Sequence, residues 1–123
     1  MKTKTFFLLA VLLVLCTLSQ AQTLKFRNDG KFKIVQFTDI HYKVGEPGSA
    51  RSISMIEATL EAEKPDLVVF TGDIVVKAPT KQGWDEVLAT VIKRNIPYLV
   101  TFGNHDDESE MKRQEVAGYV VSK

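Results

Sequence analysis

A chain of 123 residues, 45% hydrophobic and 25% charged, can bury one core and is too short for two domains. Its formal net charge of +1 gives no basic excess, so neither nucleic acid nor an anionic membrane is an expected partner. A single cysteine excludes a disulfide framework within the chain.

The N-terminus reads as an export signal. Lys2 and Lys4 form a basic start, Phe6 to Leu15 an unbroken apolar run, and Ser19-Gln20-Ala21 places small residues three and one before a cut. We expect residues 1–21 to be a signal peptide, cleavage near Ala21, and a mature chain from Gln22 that is periplasmic or extracellular. The apolar run is too short to span a bilayer comfortably, so no stable membrane anchor is expected. Cys16 raises a lipoprotein alternative, which Leu15 weakens by standing where a small residue belongs. Cleavage removes Lys2, Lys4 and Cys16, leaving 14 basic against 15 acidic side chains and no thiol. Stability then rests on core burial alone.

Beyond the signal, Leu24 and Phe26 alternate with polar residues, Asn28-Asp29-Gly30 supplies turn chemistry, and Phe32 to Phe37 is β-prone, which together predict a hairpin. A loop from Tyr42 to Gly48 leads to a helix carrying Ile53, Ile56 and Leu60, capped by Ser49 or Ser52 and ending before Pro65. Leu67 to Phe70 is fully apolar, as a central strand covered on both faces would be. After a loop with Pro79 and Gly83, the apolar spacing of Trp84, Val87, Leu88, Val91 and Ile92 predicts an amphipathic helix. Pro97 then opens Tyr98 to Phe102, a third buried strand. Ser109 to Ser122 has weak helical character, interrupted by Gly118 and the run Tyr119-Val120-Val121. Strands alternating with helices predict an α/β fold with a parallel sheet and right-handed crossovers, whose strand ends share one edge.

Three polar clusters fall on that edge: Asp39-Ile40-His41, Gly72-Asp73 and Gly103-Asn104-His105-Asp106. In open α/β sheets the carboxyl edge is where ligands bind. Carboxylate, imidazole and carboxamide donors suit divalent first-row metals better than thiolate-bound zinc. Taken singly, Asp-x-His reads equally as a cap or loop pair, and Gly-Asp as an ordinary turn. A carboxamide and an imidazole side by side after a strand are harder to explain as a turn, and all three clusters on one edge point to a site. His41 and His105 are the only histidines in the chain.

These motifs resemble the first three of the calcineurin-like metallophosphoesterase superfamily, over residues 34 to about 108. The context around them is most similar to the small, secreted purple-acid-phosphatase-like branch. The resemblance implies the N-terminal half of a four-layered α/β sandwich, with a truncated domain over residues 22–123. It also implies two metal ions, iron, manganese or zinc, with Asp39 and His41 on the first, Asp73 bridging and Asn104 on the second. His105 would steady the phosphoryl oxygens or protonate the leaving group of a phosphate-ester substrate while a metal-bound hydroxide attacks phosphorus. Val76 stands where purple acid phosphatases have an iron-binding tyrosine and many phosphoprotein phosphatases an aspartate that orients the histidine. Neither is therefore expected, and Tyr42 beside His41 reads as core packing or a pocket rim.

The family completes its site with later histidines, and none follows His105 here. We therefore expect impaired catalysis, a single weakly bound ion, and an uncovered apolar sheet face open to self-association. A second reading is a non-catalytic exported α/β binding module that retains a partial metal or phosphate site. A third is a domain whose clusters are only turns. Lys43, Arg51, Lys77 and Lys81 flank the presumed site, where solvated loop charge is their simplest explanation.

Overall fold

A computed structural model describes residues 24–123, and the export signal expected over residues 1–21 lies outside them. Six elements alternate along the chain: β1 (Ile34–Phe37), α1 (Pro47–Glu63), β2 (Leu67–Thr71), α2 (Thr80–Ile92), β3 (Tyr98–Thr101) and α3 (Arg113–Val121). The strands form one parallel sheet in the order β1-β2-β3, with Val35 opposite Val68 and Phe70 opposite Val100.

Strand alternation sorts the sheet into two unlike faces. Phe37, Val68, Phe70, Tyr98 and Val100 point into the core, with the Phe37 and Phe70 rings stacked 5.8 Å apart. The sequential strand order and right-handed crossovers place both connecting helices on this face. Ile56 and Leu60 of α1, Trp84, Val87, Leu88 and Val91 of α2, and Val116 and Val120 of α3 all join that one core. Each such side chain contributes about 1.5–3 kcal/mol by leaving water, which is why the apolar spacing of α2 decides its docking. The opposite face has no covering layer among the described residues: Ile34 and Leu99 are each 55% exposed, and Gln36 bonds sideways to Thr71 Oγ1 at 2.9 Å.

The structure departs from the sequence reading at four places. The turn at Asn28-Asp29-Gly30 forms, with Gly30 donating to the Arg27 carbonyl at 2.9 Å, but Leu24 and Phe26 build no strand. Arg27 instead reaches Asp66 at 2.9 Å and the Lys64 carbonyl at 2.5 Å, tying this segment to the turn after α1. α1 starts at Pro47, ahead of both serines, and the Ser49 hydroxyl accepts the Lys43 N–H at 2.8 Å rather than capping the helix. Gly83 lies inside α2, not in the preceding loop, where it serves close packing rather than a turn: a Cβ there would come 2.6 Å from Val75 Cγ1. β3 is half-exposed, since among the described residues it has one neighbouring strand and no layer on the open face.

Other expectations hold. α1 stops at Lys64, whose left-handed backbone (φ 45°) returns its N–H to the Leu60 carbonyl immediately before Pro65. Residues 113–121 are helical, and Glu115 starts that helix by accepting the Lys112 N–H at 2.7 Å.

Candidate metal centre

Pairing between the first two strands continues past their ends. Asp39 donates to the Gly72 carbonyl at 3.1 Å, His41 to that of Asp73 at 2.9 Å, and Tyr42 to that of Ile74 at 2.8 Å. Along this zipped stretch Asp39, His41 and Asp73 adopt left-handed backbone, with φ of 53°, 50° and 53°. Outside glycine that conformation costs roughly 1 kcal/mol per residue, so tertiary contacts must hold it.

The result is convergence. One donor atom from each of Asp39, His41 and Asp73 lies within 4.8 Å of the other two, and His41 Nε2 is 4.0 Å from Asp39 Oδ1 and 3.8 Å from Asp73 Oδ2. Asp39 is exposed and Asp73 buried, so the group opens to solvent on one side only. Among the described residues, neither carboxylate forms an ion pair with a lysine or arginine; each has only His41 within ion-pair distance. Two carboxylates and one imidazole are the donors a divalent ion accepts, and donors on a common ion sit about 3–4 Å apart. The donor set present fits such an ion.

The loop after β3 closes on this group. Gly72 (φ 108°) and Gly103 meet back to back, and a Cβ on Gly72 would fall 2.6 Å from the Gly103 nitrogen. The His105 N–H donates to Asp73 Oδ1 at 2.9 Å, and its ring centroid is 5.5 Å from that of His41. Asn104 precedes it on the same loop and is exposed.

Residues 32–122 match the family model described as calcineurin-like phosphoesterase. The chain belongs to that family. Among its relatives, probable inactive purple acid phosphatase 14 of Arabidopsis thaliana is 33% identical over 80% of this chain and 29% of its own length. Phosphatase DCR2 of Saccharomyces cerevisiae is 37% identical over 79% of this chain and 20% of its own length. The uncharacterized metallophosphoesterase YkuE of Bacillus subtilis is 39% identical over 61% of this chain and 26% of its own length. The chain therefore spans less than a third of the length of these relatives. Its α/β fold with a parallel sheet and helices on one face agrees with part of a calcineurin-like sandwich.

Two residues of this calcineurin-like site had no role in the sequence reading. Asp106, 1% exposed, accepts the backbone N–H groups of Asp73 (2.8 Å), Ile74 (2.8 Å), Val75 (3.2 Å) and Gly103 (2.8 Å). It welds the ends of β2 and β3 together. Its position directly after His105 in the third motif was the available signal. Glu108 bonds His105 Nδ1 through Oε2 at 2.6 Å and, by that hydrogen bond, holds the imidazole above its ordinary pKa. A carboxylate three residues after the histidine was the only trace of it.

Arg113 braces the same loop from α3, donating to the Gly103 carbonyl at 2.8 Å while Asp107 grips its guanidinium at 2.8 Å and 3.2 Å. Tyr42 is core, as expected: it is 4% exposed and donates its hydroxyl to Glu86, and burial first, then Glu86, pushes its pKa up to about 12. Lys77 pairs with Glu46 at 3.5 Å and Lys81 lies 5.4 Å over the Tyr119 ring, so these two charges are engaged away from the three donors.

Proposed function

We propose that this chain carries the metal-gathering half of an exported phosphoric ester hydrolase, a phosphatase or phosphodiesterase with a binuclear site. The observation that carries the reading is the meeting of Asp39, His41 and Asp73 on left-handed backbone at the sheet's carboxyl edge. Asp39 and His41 would hold the first ion, Asp73 would be shared, and Asn104 would offer its carboxamide oxygen to the second. Held there, such ions would supply an activated water and a counter-charge for the phosphoryl oxygens.

The chain's own residues do the rest. Asp73 keeps Oδ2 free toward His41 because Oδ1 is occupied by the His105 N–H. His105, beside His41, steadies the phosphoryl oxygens or gives a proton to the leaving group, with no covalent intermediate. With three clustered protein donors and one exposed Asn104, we expect weak metal binding and slow hydrolysis from this chain alone. The half-exposed Ile34 and Leu99 support self-association through the open sheet face.

Metal content and turnover test the reading together. Purified chain titrated with manganese or zinc should bind, and should hydrolyse a chromogenic phosphate ester faster than chelator-treated protein. Asp73→Asn should lower both. Metal bound without any hydrolysis would favour a non-catalytic binding module, and binding unchanged by Asp73→Asn would remove the metal site itself.

A further inference from the structure

We infer that Glu108 is the positioning residue of His105, supplied from three residues downstream on the same loop. The inference rests on the phosphoesterase reading above, and Val76 leaves no carboxylate for this task in the second motif. An ionised carboxylate only accepts hydrogen bonds, so the 2.6 Å contact between Glu108 Oε2 and His105 Nδ1 requires the hydrogen on Nδ1. The neutral imidazole is then the Nδ1–H tautomer, and Nε2 is left as the atom that gives or takes a proton. In free histidine the opposite tautomer predominates, so the carboxylate must enforce this one.

Position agrees with tautomer. The backbone N–H of His105 is committed to Asp73 Oδ1, and the ring stands 5.5 Å from that of His41. With main chain and Nδ1 both fixed, the remaining torsional freedom of the ring is small, and Nε2 keeps one direction relative to the three clustered donors. The pair is open to solvent, with side chains 39% and 58% exposed, so it contributes little to folding. Its role is orientation of a proton-transfer atom, as a carboxylate orients histidine in triad chemistry.

The test reads the tautomer directly in the full chain without added metal. With only His41 and His105 present, long-range proton–nitrogen-15 spectra hold two imidazoles, and a His41→Asn variant assigns them. At a pH where His105 is neutral, the wild-type ring should be mainly Nδ1–H, and Glu108→Ala should return it to mainly Nε2–H at unchanged melting temperature. A wild-type ring already in the Nε2–H form, or a tautomer indifferent to Glu108→Ala, overturns the inference. In metal-loaded protein the same variant should lower kcat roughly tenfold or more and leave KM in place. Glu108→Asp, whose shorter arm keeps the charge, should recover part of the lost kcat. If the tautomer behaves as stated and no ester is hydrolysed, the phosphoesterase reading fails and the positioning of His105 stands.

Discussion

Asp106 holds the main chain of Asp73 in place: its Oδ2 accepts the Asp73 N–H at 2.8 Å, while Asp73 Oδ2 lies 3.8 Å from His41 Nε2. The same Asp106 oxygen accepts the Gly103 N–H, so one carboxylate fixes the ends of two strands. Asp106→Asn keeps the shape but turns an amide group toward main-chain donors that need an acceptor. Since hydrogen bonds to a charged group contribute more than neutral ones, we expect a loss of about 3 kcal/mol in urea unfolding. Metal affinity should fall with it, although Asp106 is outside the ligand cluster.

The contact between Gly72 and Gly103 predicts opposite outcomes for chemically identical changes. Gly72→Ala forces a Cβ to within 2.8 Å of Gly103 Cα at φ 108°, and should destabilise the chain by about 3 kcal/mol or prevent folding. Gly118→Ala, on α3 with open space around it, should stabilise by roughly 0.5–1 kcal/mol. Thermal melts of the two variants side by side check both signs.

Much of this was legible in the chain. β2 declared itself through four consecutive apolar residues, α2 through its apolar spacing, and the helix stop at Lys64 through Pro65, because each signal is local. The failures are tertiary. Nothing near Leu24 announces that Arg27 will bind Asp66, a partner far along the chain, in place of a strand for Phe26. Likewise Asp106 reads as a loop aspartate until folding places the Asp73 and Val75 amides against it. The convergence of Asp39, His41 and Asp73 was readable because motif and strand end coincide, while the left-handed backbone that aims them was not.

Tyr42 should ionise well above the ordinary tyrosine range in an ultraviolet titration. Its folded-state pKa, pushed up to about 12, lies above the ordinary tyrosine value near 10, so the folded chain binds that proton more tightly than the unfolded one. The stabilisation is complete below about pH 10 and disappears as pH climbs through about 12. Glu86→Gln should move the transition back toward 10, because it removes the Glu86 charge while burial, the largest single cause, remains.

Sedimentation of the wild-type chain should depend on concentration, because Ile34 and Leu99 present apolar surface on a sheet face that has no covering layer among the described residues. Leu99→Lys should reduce that dependence and leave the unfolding free energy within about 0.5 kcal/mol of wild type, as expected for an exposed position.

Left-handed backbone at Asp39, His41 and Asp73 restricts what these positions can become. Aspartate, asparagine, histidine and glycine tolerate it, whereas valine, isoleucine and threonine are strongly disfavoured. Change at these three sites is therefore steered toward asparagine or glycine, and the loop geometry can persist after the donor atoms are gone. Such descendants would inherit the contour of the cradle as a fossil, and regaining the donor set would take only the return of the lost side chains, not the rebuilding of the loop.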